Sequence, residues 1–337
     1  MDQEPDYEQL KAAALSQPLV SHIYTADPSA HVFNGKIYIY PSHDIDAGIP
    51  FNDNGDHFGM EDYHVLSMDE PFGKTTDHGV ALHVNDVPWA SRQMWAPDAA
   101  EKNGTYYFYF PARDQEGRFR IGVATGDRPE GPFTPRPEAI KGSYSIDPAV
   151  YADEDGAYYM YFGGLWGGQL QEYRQNNYDP SHAEPTGNTP ALGPLVARLR
   201  DDLLEFAEKP REIEILDEEG NVLVASDNDR RFFEAAWMHR HAGKYYFSYS
   251  TGDTHYICYA TGDSPYGPFT YRGRIMEPVI GWTTHHSICA VAGKYYLFYH
   301  DSVLSGGVTH LRSVKMAEIH HQEDGTIRTL HPYPGGE

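Results

Sequence analysis

Three acidic residues stand in related local settings far apart in the chain: Asp27 in TADPSAHVF, Asp147 in SIDPAVYAD and Glu234 in FFEAAWMHR. Asp27 and Asp147 share an Asp-Pro step followed by small residues, and all three sit just ahead of an aromatic, alternating stretch. A lone Asp-Pro is an ordinary turn starter. Three carboxyls converging on one point are another matter, because like charges there cannot all ionise and one keeps its proton. A protonated carboxyl beside an ionised one is the arrangement that cleavage of a glycosidic bond requires, one group assisting the leaving oxygen and the other activating water.

The elements that would bring them together are visible as a repeat. A turn containing Gly followed by alternating Tyr and Phe occurs in HVFNGKIYIYPS from His31, AEKNGTYYFYFPA from Ala100, VYADEDGAYYMYFGG from Val150, MHRHAGKYYFSYSTG from Met238 and ICAVAGKYYLFYHDS from Ile288. Each reads as a β-hairpin, with Gly35, Gly104, Gly156, Gly243 and Gly293 supplying positive φ at the reversal. IGVATGDRPEGPFTPR from Ile121, ICYATGDSPYGPFTYR from Ile257 and, more loosely, VLSMDEPFGKTT from Val65 read as second, outer hairpins. An inner plus an outer hairpin makes a four-stranded antiparallel sheet, and five such units make an all-β, five-bladed β-propeller of about 60 residues per blade. Radial symmetry then carries equivalent inner-strand positions, and with them the three carboxyls, to one axial pocket.

Residues 1–337 read as one propeller domain, with residues 1–20 as an N-terminal helical extension around DYEQLKAAALSQ. The uneven spacing of the turns leaves room for two insertions. One runs around Ile45 to Met60; the other, residues 170–229 between blades three and four, contains ARLRDDLLEFAEKPREIEI, whose spacing and charge predict a helix.

Composition narrows the functions. Against 26 basic residues stand 49 acidic ones, a net charge of -23 with no basic run, which excludes phosphate-backbone binding and leaves neutral substrates unopposed. Cys258 and Cys289 are too few for a disulfide framework and read as small buried side chains. The N-terminal residues lack a basic-then-apolar leader and no apolar run could span a bilayer, so the expectation is a cytoplasmic protein without membrane partners.

The motifs ADPS, WAPDAA from Trp95, SIDPAV, FFEAAW and THHSI together closely resemble glycoside hydrolase family 43 over nearly the whole chain. The resemblance implies a five-bladed propeller that hydrolyses with inversion. It assigns Asp27 as general base, Glu234 as general acid and Asp147 as the residue that tunes the acid's pKa. Inversion would set the carboxyls of Asp27 and Glu234 roughly 6.5–9.5 Å apart, with room for water. It implies a β-xylosidase releasing terminal xylose from short xylo-oligosaccharides, with α-L-arabinofuranosidase or dual activity as the alternative. No cofactor is implied for the chemistry; a structural calcium ion in the central channel and a homo-oligomer stay open. A non-catalytic sugar-binding propeller is the reading of another class, disfavoured because binding alone needs no carboxyl triad. A fructan-cleaving propeller is disfavoured by Ala26 ahead of Asp27.

Other residues are candidates beside this triad. Trp95 and Trp166 offer flat faces for a sugar or fill the core, and Trp237 equally packs between blades. His285 rather than His286 would reach the channel and hold a metal, by resemblance to the family's His. Arg312, with His310 competing for the position, would bind sugar hydroxyls. Phe51, with Asp53 and His57, would shape the pocket rim from the first insertion.

Overall fold

The computed structural model describes residues 5–334 and is built almost wholly of short antiparallel strands. Among the described residues five blade sheets follow one another along the chain, and a separate two-stranded ribbon pairs Tyr173–Arg174 with Asn177–Tyr178. The first has the strands Tyr24–Phe33, Lys36–Asp44, Asp62–Met68 and Thr76–His83 in sequential order. In the second, Asp98–Lys102 and Ala90–Arg92 both pair with Thr105–Asp114, followed by Phe119–Gly126 and Thr134–Pro135. These are the blades of a five-bladed propeller, and the predicted hairpins are its inner strands. Their turns have left-handed φ at the glycines, +77° at Gly35 and +80° at Gly293, and at Asn34 and Ala292 before them, the form that matches strand twist.

The third blade corrects the reading of residues 170–229 as an insertion bearing a helix. Leu195–Arg198 pairs with Tyr158–Phe162 as the third strand and Arg211–Glu212 forms the fourth. Between them the chain turns through Leu199, Leu203 and Phe206, all buried. Helical spacing was present, but the open edge of Tyr158–Phe162 and the apolar pocket beneath it outweigh local propensity. Ile215–Leu216 then crosses to the fourth blade and pairs in parallel with Phe269–Met276, an exception to the antiparallel rule.

The last blade departs from four strands. His286–Val291, Lys294–Asp301 and Ser313–Ile319 form it, and its outer edge is covered by the segment before the first blade. The Leu19 N–H donates to Val314 O (2.8 Å), and Leu19 and Val20 pack on the core shared by the first and last blades. The helix expected near the N-terminus is Tyr7–Ala13, capped by Asp6. Cys258 and Cys289 are free and buried, as expected.

Around the axis every blade is bonded to the next. Ser29 Oγ donates to Pro97 O (2.7 Å), and Asp98 takes the N–H of Val150 (2.6 Å) and pairs with His31. Asp147 accepts the N–H of Ala235 (2.9 Å), the Trp237 indole donates to Ile288 O (3.0 Å), and Ser287 Oγ accepts the N–H of Ala30 (3.0 Å). Such a closed ring leaves no exposed inner edge.

Candidate active site

Each carboxyl of interest sits where its inner strand is kinked. Asp27 has φ +50° and Asp147 φ +58°, and Ala235, directly after Glu234, has φ +64°. The pairing of the first blade slips between Ala26 and Ser29, and that of the fourth between Glu234 and Trp237. Left-handed backbone at a non-glycine costs about 1–3 kcal/mol and persists only where surrounding contacts impose it. Here the bulges turn side chains out of the sheet and into the axial pocket.

The structure brings Asp27, Asp147 and Glu234 to a single pocket, lined by all five blades, with about 610 Å³ of non-atom space counting its open mouth. Phe51, Asp53 and His57 come from the first insertion, Trp95 from the second blade, Trp166 from the third, and His285 and Arg312 from the last.

Asp27 is gripped on several sides. Arg312 Nη1 lies 3.0 Å from its Oδ1, Ser42 Oγ donates to its Oδ2, and its N–H donates to His300 Nδ1 (3.0 Å). Since that nitrogen accepts, His300 carries its hydrogen on Nε2, where it faces Thr283 O (3.0 Å). Burial alone would raise the Asp27 pKa, but Arg312, then His285, His300 and the Ser42 hydroxyl, bring it down to about 2. Arg312 in turn is fixed by Asp44, which takes its Nε and Nη2 at 2.8 Å each and its backbone N–H at 2.8 Å. The fork geometry leaves Nη1 aimed at Asp27.

Glu234 is driven the other way. Burial first, then the charge of Asp27, push its pKa up to about 8, with Arg312 opposing. Asp147 is raised well above the carboxylate range by burial, then by Glu234 and Asp27, against the Ala235 N–H and Arg312. Asp147 and Glu234 repel one another, and the charge of Asp27 raises both. The pair holds a proton through neutral pH while Asp27 stays ionised. His285 Nδ1 stands 3.7 Å from Asp27 and 3.9 Å from Asp147, and burial pushes the imidazole's pKa down to about 4.

The supporting residues divide by location. Trp95 lines the pocket but is also packed, its indole N–H donating to Phe58 O (2.8 Å) and its ring against Phe119. Trp166 also lines the pocket, its N–H bound to Glu184 (2.7 Å) and its ring against Trp282. Trp237 is outside the pocket, between blades, and His286 is turned away to Ser248 (2.6 Å). Arg312 lines the pocket, whereas His310 faces Asp46 outside the set of pocket-lining residues. Sequence reasoning missed Asp44, Phe233, Trp282 and Thr283. Phe233 lay inside the motif FFEAAW, and Trp282 and Thr283 lay just ahead of THHSI, whereas Asp44, buried behind Arg312, gave no signal.

The chain has counterparts among known proteins. The sequence pattern of Glycosyl hydrolases family 43 matches residues 17–327. The chain belongs to that family. It is 65% identical over 324 residues to Xylosidase/arabinosidase 43A of Humicola insolens, covering 94% of this chain and 99% of the relative. It is 54% identical to Beta-xylosidase of Xylanibacter ruminicola, covering 91% and 97%. Among solved structures, the GH43_1 enzyme from Xanthomonas citri complexed with xylotriose superposes with a TM-score of 0.94 at 63% identity, covering 98% and 97%. The compost-metagenome β-xylosidase/α-arabinofuranosidase CoXyl43, solved with xylotriose in a calcium-free form, gives 0.93 at 66% identity, covering 94% and 98%. The family 43 chain described here is thus a glycoside hydrolase.

Proposed function

We propose that this family 43 enzyme is an inverting, exo-acting β-xylosidase that removes terminal xylose from short xylo-oligosaccharides and also accepts α-L-arabinofuranosides. The observation that carries the reading is the opposed titration of two carboxyls on one pocket, Asp27 at about 2 and Glu234 at about 8. Asp27 stays ionised and takes a proton from the attacking water; Glu234 stays protonated and gives its proton to the departing oxygen. Asp147, bonded to the N–H next to Glu234, orients that acid and shares its proton. Trp95, Trp166 and Phe51 offer apolar faces to the sugar, and the Arg312 guanidinium reaches its hydroxyls from beside Asp27. A pocket that only bound sugar would have no use for a carboxyl held protonated.

Substrate class is supported by the relatives' names and by xylotriose in two of the solved ones. For a calcium ion in the channel, His285 is the side chain on hand: among the described residues no protein hydrogen bond satisfies its imidazole, which fits one ligand of an ion otherwise coordinated by water. Calcium takes 6–8 oxygen ligands. Its contribution there would be positive charge beneath the pocket.

The test is proton NMR of the anomer first released from xylobiose, alongside turnover of para-nitrophenyl xylopyranoside and arabinofuranoside. Initial α-xylose supports inversion at a β-linkage. Initial β-xylose, or no turnover of either glycoside, overturns the reading.

A further inference from the structure

Away from the pocket-lining residues, the first blade and the segment ahead of it gather five side chains that the hydrolysis does not use. We propose that His43, Asp62 and His64 form a structural metal site there, suited to a borderline divalent cation such as zinc. One nitrogen of each imidazole and a carboxylate oxygen of Asp62 all lie within 4.8 Å of one another. Strand pairing explains the convergence. Ile39 faces Leu66 in the first blade, so the same register carried four residues further sets His43 opposite Asp62, and His64, two residues on, shares its face. Zinc holds tetrahedral N and O donors at about 2.0–2.2 Å, so small side-chain rotations close the cluster on an ion.

The hydrogen bonds around the cluster prepare the imidazoles to ligate. His64 Nδ1 lies 2.9 Å from Asp77 Oδ1 and His43 Nδ1 2.6 Å from Asp62 Oδ1. A carboxylate only accepts, so His64 carries hydrogen on Nδ1 and turns Nε2 to the metal, whereas the His43 Nδ1–Asp62 Oδ1 contact joins two of the proposed ligands and an ion would take the place of the hydrogen between them. A carboxylate behind the far nitrogen of a ligating histidine is the usual way to fix its tautomer and raise its basicity. Asp77 also holds His22 Nε2 at 2.7 Å, which ties the cluster to the segment ahead of the first strand.

Charge and burial point the same way. The side chains of His43, Asp62, His64 and Asp77 are only 18%, 18%, 12% and 15% exposed. Among the described residues neither Asp62 nor Asp77 is paired with a lysine or arginine; their ion-pair partners are histidines. Two sheltered carboxylates with no lysine or arginine paired to them among the described residues favour a cation at the cluster. The ion would clip strands of the first blade beneath the N-terminal segment.

Zinc chloride titrated calorimetrically into the full chain after dialysis against EDTA is expected to bind at one equivalent with micromolar or tighter Kd, and to raise the Tm. His43→Gln with His64→Gln should abolish both effects, Asp77→Asn should weaken binding about 10–100-fold, and His285→Gln should leave this equivalent intact. Absence of saturable binding, or binding unchanged in the double variant, overturns the proposal. Should the double variant fail to fold, anomalous diffraction at the zinc edge from zinc-soaked wild-type crystals decides: a peak between His43 and His64 supports the site, and its absence rejects it.

Discussion

The two carboxyls that carry the proposed chemistry differ in what surrounds them more than in what they are. Asp27 is gripped by Arg312, two histidines and a hydroxyl, whereas Glu234 feels burial and the Asp27 charge. Their exchange for amides should therefore have separable effects. Glu234→Gln is expected to lower kcat by about 10²–10⁴ on xylobiose and far less on an aryl xyloside with a good leaving group, while Asp27→Asn should lose about as much on both. Steady-state kinetics on the two substrates checks this. The pH profile should be a broad bell, its acid limb set by Asp27 and its alkaline limb by Glu234 near about 8. The same displacement has a stability sign. A folded-state pKa raised from 4.5 to about 8 means that the native state binds more protons than the unfolded chain between those values. Stability is then lost as pH rises through that window. Glu234→Gln should accordingly be more stable than wild type at pH 8, by roughly 1–4 kcal/mol, with the gap closing below about pH 4. Urea unfolding at both pH values measures it.

At the scale of elements, the pocket depends on a loop meeting a strand end. The first insertion folds over Trp95, and Gly55 makes this approach with φ +73°; a Cβ there would meet the indole at 2.6 and 2.9 Å. Gln93 reinforces the seam, donating to Gly55 O (2.9 Å) and accepting from Arg113 Nε (2.7 Å). Gly55→Ala should displace either the loop or the indole, raising KM several-fold and costing about 1–3 kcal/mol of stability. Kinetics with thermal unfolding would show it; an unchanged KM would mean that the loop does not shape the sugar site. The inner hairpins were legible because turn chemistry and Tyr/Phe alternation are local. The strand Leu195–Arg198 was not, since nothing in its own residues announces the open edge that captures it.

For the whole molecule, the ring has one closure, and the segment before the first blade guards it. The Leu19 N–H bonds Val314, and Ser16 Oγ accepts from the Met316 N–H (3.3 Å), covering the outer strand of the three-stranded last blade. Removing residues 1–20 should expose that strand as a sticky edge, lowering the Tm by about 3–8 °C and promoting association. Calorimetry and light scattering on the truncated chain provide the check, and an unaltered, monodisperse sample would show that the blade is self-sufficient.

The sequence by itself determined the repeat, the blade number and the identity of the three carboxyls, because a propeller writes each blade as a separate local pattern and places equivalent residues at equivalent points. Arg312, His285 and Trp95 were legible in it as candidates. What only the tertiary structure supplied was the cause of their electrostatic character: Arg312 and its neighbours hold Asp27 ionised, burial and the Asp27 charge keep the proton on Glu234, and Asp44, 268 residues from Arg312, fixes the guanidinium that makes the difference. Such properties arise from burial and from charges supplied by other blades, and no stretch of chain carries them alone.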